Sequence, residues 1–199
     1  MSGDITIGIS EDYSIPLLTP ALAGFADLHP QVSITVRSEP TADIDDAFEA
    51  GEIDLAVLSI DSGTVTGELL YQDPTDWVVS KRHRLEDRDP VPVAVFDADC
   101  WWRDAALKTL QVRGLPYHIA FSSRSLAGIQ AAVQSGLAIG MMGRSTAPTG
   151  TRILNRADGF DPLPSASIVL KCREGNPSPA FTGMASAIRE ACTNVMGTR

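Results

Sequence analysis

Asp43-Ile44-Asp45-Asp46-Ala47-Phe48-Glu49-Ala50, then Gly51, then Ile53-Asp54-Leu55-Ala56-Val57-Leu58, compresses the grammar of the whole chain into sixteen positions. Ile44, Ala47 and Phe48 recur at helical spacing and predict a short helix over Asp43–Ala50 with those three turned inward. Gly51 supplies the left-handed backbone that ends a helix. The apolar run Ile53–Leu58 then predicts a buried strand. Helix, glycine stop and apolar strand in that order are one half of a βαβ unit.

Working outward, the same grammar repeats. Ile5–Ile9 reads as a buried strand, Pro16–Leu28 as a helix with Leu18, Leu22, Phe25 and Ala26 on one face, and Val32–Val36 as an alternating strand. Further on, Trp77–Val79 and Val91–Phe96 read as strands, Trp102–Val112 as a helix ended by Gly114 and Pro116, and His118–Phe121 as a strand. Ser125–Ser135 is a helix stopped by Gly136, Ala138–Met142 a strand, and Ile168–Cys172 a last strand before a closing helix with Ser178 at its N-cap and Pro179 at its first position. Strands separated by helices of this length predict an α/β protein with mainly parallel sheets. Residues 31–58 and 117–142 share one layout, which predicts two α/β lobes rather than one continuous sheet. With the last strand and helix returned to the first lobe, the chain crosses twice. Ligands of open α/β sheets bind beyond the carboxyl ends of the strands, so two facing lobes predict a shared interlobe cleft.

The 199 residues are 44% hydrophobic and 21% charged, an ordinary globular composition. Sixteen basic against twenty-five acidic side chains give a net charge of −9, which repels phosphate backbones and argues against duplex-DNA binding by this chain alone. Three widely spaced cysteines, Cys100, Cys172 and Cys192, make neither a disulfide framework nor a zinc ligand set, and a reducing cytoplasm fits them. The start lacks a secretory pattern, and no apolar run approaches the ~18–20 residues that cross a bilayer.

Catalytic templates fit badly. The sequence contains no P-loop, no H-E-x-x-H and no G-x-G-x-x-G, and Gly8-Ile9-Ser10-Glu11-Asp12 lacks the closing glycine of a nucleophile elbow. His29, His83 and His118 are dispersed, and Asp43, Asp45 and Asp46 read as a solvated first helical turn. The residues therefore predict no enzyme, no cofactor and no metal site. Binding chemistry fits better, because polar groups recur at strand ends: Ser10-Glu11-Asp12-Tyr13, Ser38-Glu39-Pro40-Thr41, Ser59-Ile60-Asp61, Asp99-Cys100-Trp101-Trp102-Arg103 and Ser122-Ser123-Arg124-Ser125. Hydroxyls and helix-start N–H groups suit a carboxylate or another polar ligand. Thr41 and Ser125 read equally as plain helix caps. Arginines at helix starts oppose the dipole, so an anionic partner for Arg103 or Arg124 is expected. Trp101 and Trp102 are neighbours that cannot face one way; one packs inward and one faces a cleft or an interface.

Ile5-Thr6-Ile7-Gly8-Ile9-Ser10, Leu17-Leu18 with Phe25 and His29-Pro30, Val32-Ser33-Ile34, the stretch Ala47–Val57, and Ser125-Leu126 through Ala131-Ala132-Val133 to Gly136–Gly140 together resemble the effector-binding domain of LysR-type transcriptional regulators. Cys100-Trp101-Trp102-Arg103 with Ala106 and Leu107, and Ile119–Ser123, look like the branch that governs motility and virulence traits. The resemblance implies a type II periplasmic-binding-protein-like fold, with residues 1–74 plus 168–199 as lobe I and 75–167 as lobe II around the cleft. It implies a small polar or anionic effector held by Ser10, Glu39, Pro40, Thr41, Trp102, Arg103 and Ser123. It further implies a head-to-tail homodimer through the helices near 16–28 and 125–136, with a higher oligomer in the full-length protein. DNA is reached only through a winged helix-turn-helix and linker helix that would precede residue 4, so the chain reads as the regulatory half. Gly143-Arg144 stands where the family carries a proline.

Two rival readings follow from the same fold. A solute-binding protein of a transporter is one, and the absent signal sequence speaks against it. A dehydratase of the prephenate type is the other; it needs a Thr-Arg-Phe motif, which Phe121-Ser122-Ser123-Arg124 does not supply.

Overall fold

The computed structural model describes residues 3–197 except 62, 64–65, 98–99, 174 and 176–177, and of 194–197 the backbone only. Asp99, singled out above, lies outside the described residues. The chain divides into two compact units, Met1–Gln72 with Ser167–Arg199, and Asp73–Ala166.

In the first unit, β1 (Gly3–Ser10) pairs in parallel with β2 (Val32–Glu39) and with β3 (Leu55–Asp61). β10 (Ala166–Cys172) and β4 (Glu68–Asp73) complete a five-stranded sheet in the order β2-β1-β3-β10-β4. α1 (Thr19–Leu28) packs with α5 (Pro179–Gly197), and α2 (Thr41–Glu49) covers β1 and β3. Ile7, Ile9, Leu55 and Val57 are fully buried in the sheet, and Ile44 of α2 packs with Ile53, Leu58 and Val169.

Three expectations shift here. The helix expected from Pro16 is preceded by a 3-10 turn at Glu11–Tyr13 and a π-helical turn at Ser14–Leu18, and α-helix begins only at Thr19. Pro16 and Pro20 have no N–H for the regular ladder, so the chain enters the helix through irregular turns. Leu17, Leu18, Ala21 and Phe25 are buried while Ala26 is exposed, one step round the helix from the stripe. The strand expected from Ile53 starts at Leu55, because the Ile53 carbonyl accepts the Arg173 guanidinium instead of a ladder bond.

In the second unit, β5 (Thr75–Ser80), β6 (Val91–Phe96), β7 (Tyr117–Ser123), β8 (Ile139–Gly143) and β9 (Thr151–Leu154) form a sheet in the order β7-β6-β8-β5-β9. β6 runs parallel to β7 and β8, whereas β5 runs antiparallel to β8 and β9. The sheet is thus mixed rather than mainly parallel. β4 and β9 were not expected from the sequence: Glu68–Asp73 is half exposed, with its apolar residues Leu69, Leu70 and Tyr71 consecutive rather than alternating, and Thr151–Leu154 is a four-residue edge strand. α3 (Trp101–Arg113) ends on Gly114 in the left-handed region, and α4 (Leu126–Gln134) has Ser125 as its N-cap, accepting the Gly128 N–H at 3.2 Å.

Candidate functional site: a hydroxyl ring and a second polar end

Parallel pairing of β1 with β2 and β3 brings their carboxyl ends together in the first unit, with Ser10 directly opposite Glu39. There three residues close a ring of hydrogen bonds. The Ser59 N–H donates to Ser10 Oγ at 2.9 Å, Ser10 and Thr41 hydroxyls meet at 2.8 Å, and Thr41 Oγ1 donates to the Ser59 carbonyl at 3.1 Å. A carbonyl only accepts, so the Thr41 proton is committed to it and Ser10 must be the donor to Thr41. Both hydroxyl protons are used inside the ring, and each oxygen keeps an acceptor face. The ring holds α2 to the sheet at its first turn. Thr41 is therefore not a helix cap; Pro40 occupies the cap position, and Thr41 is the first helical residue.

Around the ring, the Ser14 and Ser38 hydroxyls bond at 2.6 Å. Arg37 grips Glu39 with two bonds of 3.1 Å, and that guanidinium holds the Glu39 carboxyl below its ordinary range. At the other end of α2, Arg173 bonds the Phe48 and Ile53 carbonyls, and Lys171 bonds Asp45 at 2.5 Å and Glu49 at 3.1 Å. The helix that carries Thr41 is thus fixed at both ends.

Beside the ring, desolvation pushes the Asp12 carboxyl up to about 7, with the Glu11 charge and a hydrogen bond to Glu11 acting in the same direction. The folded form then binds a proton more tightly than the unfolded chain, so stability falls as pH rises from about 4 through 7. Thermal midpoints are expected to drop between pH 5 and pH 8, and Asp12→Asn is expected to flatten that slope and raise the midpoint at pH 8. An unchanged slope in the variant would refute the assignment.

In the second unit Phe96 pairs with Ser123 at the carboxyl ends of β6 and β7. Arg103 Nη1 donates to the Phe96 carbonyl at 2.7 Å, and Ser123 Oγ accepts the Ser125 N–H at 3.1 Å. Arg103 thus meets a backbone carbonyl, where an anionic partner was expected. Trp102 is 1% exposed and packs against Phe96 with ring centres 5.4 Å apart and planes tilted by 40°, so its ring lies in the core; Trp101 is the half-buried member of the pair. In the Gly143-Arg144 pair, Arg144 donates its own N–H to the Pro74 carbonyl at 2.7 Å and grips Asp76.

The structure therefore brings Ser10, Glu39, Pro40 and Thr41 together in one unit and Trp102, Arg103 and Ser123 together in the other. Ser59, quoted above among the polar strand ends but left out of the effector contacts, closes the ring from inside β3. Of the three cysteines, none in a disulfide, Cys192 is pushed up to about 12 by burial, and Cys172 is raised by the same cause.

Comparison with known proteins matches residues 1–193 to the LysR substrate binding domain. The chain belongs to that family. It is an effector-binding domain of the LysR type, with the type II periplasmic-binding-protein-like fold. The HTH-type transcriptional regulator DgdR of Burkholderia cepacia is 30% identical over 189 residues, 95% of this chain. PecT of Dickeya dadantii (strain 3937), also an HTH-type transcriptional regulator, is 28% identical over 87% of the chain. The chain spans 64% and 54% of those two relatives. Among solved structures, the reduced regulatory domain of OxyR2 from Vibrio vulnificus gives a TM-score of 0.70 at 18% identity, covering 96% of both chains. HinK, a LysR family regulator from Pseudomonas aeruginosa, gives 0.67 at 20% identity, covering 96% of this chain and 70% of that one. The relatives are regulators, which sets aside the transporter reading. No described helix is long and apolar enough to cross a membrane, and no described group of His, Cys, Asp or Glu could hold a metal ion.

Proposed function

We propose that this LysR domain binds a small polar or anionic metabolite at the carboxyl ends of its strands and has no catalytic activity. Ser10, Glu39, Pro40 and Thr41 are the contacts of the first unit; Arg103 and Ser123, with the edge of Trp102, are those of the second. The observation that carries this reading is the Ser10–Thr41–Ser59 ring. It sets two oxygens and the positive end of α2 at the strand termini, and its bonds pair the Ser10 and Thr41 hydroxyls with each other and with the Ser59 peptide groups. A hydroxyl without a base is a poor nucleophile but a good positioner.

Screening metabolites by thermal shift, carboxylates and aromatic acids first, tests the reading. Thr41→Val breaks two bonds of the ring and is expected to cost about 1 kcal/mol of stability and about tenfold in affinity for any hit. Ser123→Ala is expected to weaken the same hit. Lost stability with unchanged affinity would assign both residues to the fold alone.

The domain pairs head to tail as a homodimer in the cytoplasm, with α1 against α4 of a second copy. Exposed Ala23, Ala26 and Leu28 on α1, and Ala127 and Ala131 on α4, support that pairing. So does the charge partition: the first unit carries five basic and fifteen acidic side chains, the second eleven and ten. Like-with-like pairing would set two strongly acidic units together, and head-to-tail pairing avoids it. Light scattering over a concentration series is expected to show twice the mass of one chain; a single-chain mass throughout would refute the dimer. DNA contact and higher assembly belong to the part of the HTH-type relatives that this chain does not span. A ligand acts on that part only through unequal affinity for two arrangements of the protein.

A further inference from the structure

Among the described residues, five buried side-chain atoms of the second unit have no protein hydrogen bond: His83 Nδ1, Glu86 Oε2, and three that fall on one side of the fold, the Thr75 hydroxyl and the indole N–H groups of Trp77 and Trp102. Thr75 is 4% exposed and each tryptophan 1%. Native proteins rarely leave such groups unsatisfied, so three on one side need a cause.

The fold places all three on one face of the sheet. A Cβ on Gly140 would meet Val133 and Ile129 of α4 at 2.7 and 3.0 Å, so Gly140 looks toward α4. Gly140 is paired with Val78, and strand alternation then turns Thr75 and Trp77, with their partners Gly143 and Met141, to the opposite face. That face belongs to α3. The crossovers β6-α3-β7 and β7-α4-β8 run in opposite directions along the strand order, and two right-handed crossovers of opposite direction lie on opposite faces. Trp102, Ala106 and Leu110, one helical turn apart, are the buried stripe that α3 lays against the sheet.

The fold also places them toward one end. Because β5 runs antiparallel to β8, its first residue, Thr75, pairs with the last residue of β8, Gly143. Thr75 therefore stands at the carboxyl ends of the parallel strands, although it begins its own. Its cross-strand neighbour has no side chain to cover the hydroxyl. Trp102 is the second residue of α3, just beyond the carboxyl end of β6, and Trp77 lies two residues, about 7 Å, further in along β5. Between β6 and β8 the connections diverge to either side, which is where open α/β sheets take their ligands.

An indole N–H can only donate, and a hydroxyl completes itself as a donor as readily as an acceptor. What all three lack in common is an acceptor oxygen. Arg103, with one guanidinium nitrogen on the Phe96 carbonyl, brings positive charge to the same end. We propose that Thr75, Trp77 and Trp102 form an acceptor-binding subsite of the second unit, and that the ligand presents a carboxylate to it. This rests on the ligand-sensing reading above and adds to it a ligand group and two residues, Thr75 and Trp77.

The test follows the indole N–H resonances of 15N-tryptophan-labelled protein, one each from Trp77, Trp101 and Trp102. Sodium acetate is titrated against sodium chloride at matched ionic strength, with acetamide as the uncharged control. Acetate is expected to move the Trp77 and Trp102 signals saturably, well beyond Trp101, and acetamide to move them less. Thr75→Val is expected to weaken that response at least fivefold while its thermal midpoint stays level or rises by ~1–3 °C, since an unpaired hydroxyl has been removed. No saturable shift beyond chloride overturns the subsite. So does a midpoint lowered by more than ~4 °C in Thr75→Val, which would show the hydroxyl to be satisfied by buried water. A metabolite from the thermal-shift screen that binds without moving either indole would also overturn this inference and leave the sensing function standing; failure of that screen bears on the function instead.

Discussion

Gly136→Ala is expected to lower the unfolding free energy by about 2–4 kcal/mol. Gly136 ends α4 with φ at +76°, a region that costs an L-residue ~1–2 kcal/mol. The His83 ring also lies against it: a Cβ there would stand 2.2 Å from the nearest ring atom. The His83 backbone is held in place: its peptide N–H donates to the Ser80 carbonyl at 3.1 Å, and its carbonyl accepts the Arg152 guanidinium, which also grips the buried Glu86 carboxylate, so only rotation of the ring can relieve the contact. Overpacking at such a held contact adds ~1–3 kcal/mol. Denaturant midpoints measure the loss. In a His83→Ala background the same substitution is expected to cost at least ~1 kcal/mol less, because only the backbone penalty remains. Equal cost in both backgrounds would show that the ring contact carries no weight.

Gly8→Val is expected to cost about 2–3 kcal/mol and to disturb the hydroxyl ring without touching it. Gly8 lies in β1 beneath α2, where even a single added carbon would come within 2.7 Å of both Ile44 and Ile53. α2 cannot retreat as a body, since Lys171 and Arg173 hold its last turn. The helix must therefore tilt at its first turn, where only the ring of Ser10, Thr41 and Ser59 holds it. Hydrogen exchange at the Ser59 N–H, which donates into the ring, is expected to quicken in Gly8→Val. Adding Ile44→Ala makes room under the helix and is expected to restore slow exchange at Ser59, even though it removes core contacts of its own. Unchanged exchange in Gly8→Val would show that the ring does not depend on how closely α2 lies on β1.

These two glycines show what was readable in one dimension. Gly51, Gly114 and Gly136 announced helix ends, because the left-handed backbone that ends a helix is a local property of one residue. Gly8, inside an apolar strand run, gave no such signal; its requirement comes from Ile44, thirty-six positions away, and exists only once α2 lies on β1. Glu68–Asp73 and Thr151–Leu154 became strands for a related reason. Their alternation is too weak to predict a strand, and neighbouring strands supply the pairing that local pattern does not.

The sequence by itself determined the α/β class, the helix stops, the apolar strands and the family, because periodicity, glycine conformation and motif order are properties of neighbours along the chain. The tertiary structure decided which hydroxyls bond one another and which peptide groups they hold. Thr41 read equally as a cap or a contact until β1, β2 and β3 converged and the Ser59 carbonyl claimed its proton. Which of Trp101 and Trp102 packs inward was open until α3 laid Trp102 on the sheet, and Thr75 had no motif at all until an antiparallel strand carried it to the carboxyl end. A hydrogen bond is satisfied in space, so its partner, and with it the side chain's role, is fixed only when distant segments meet.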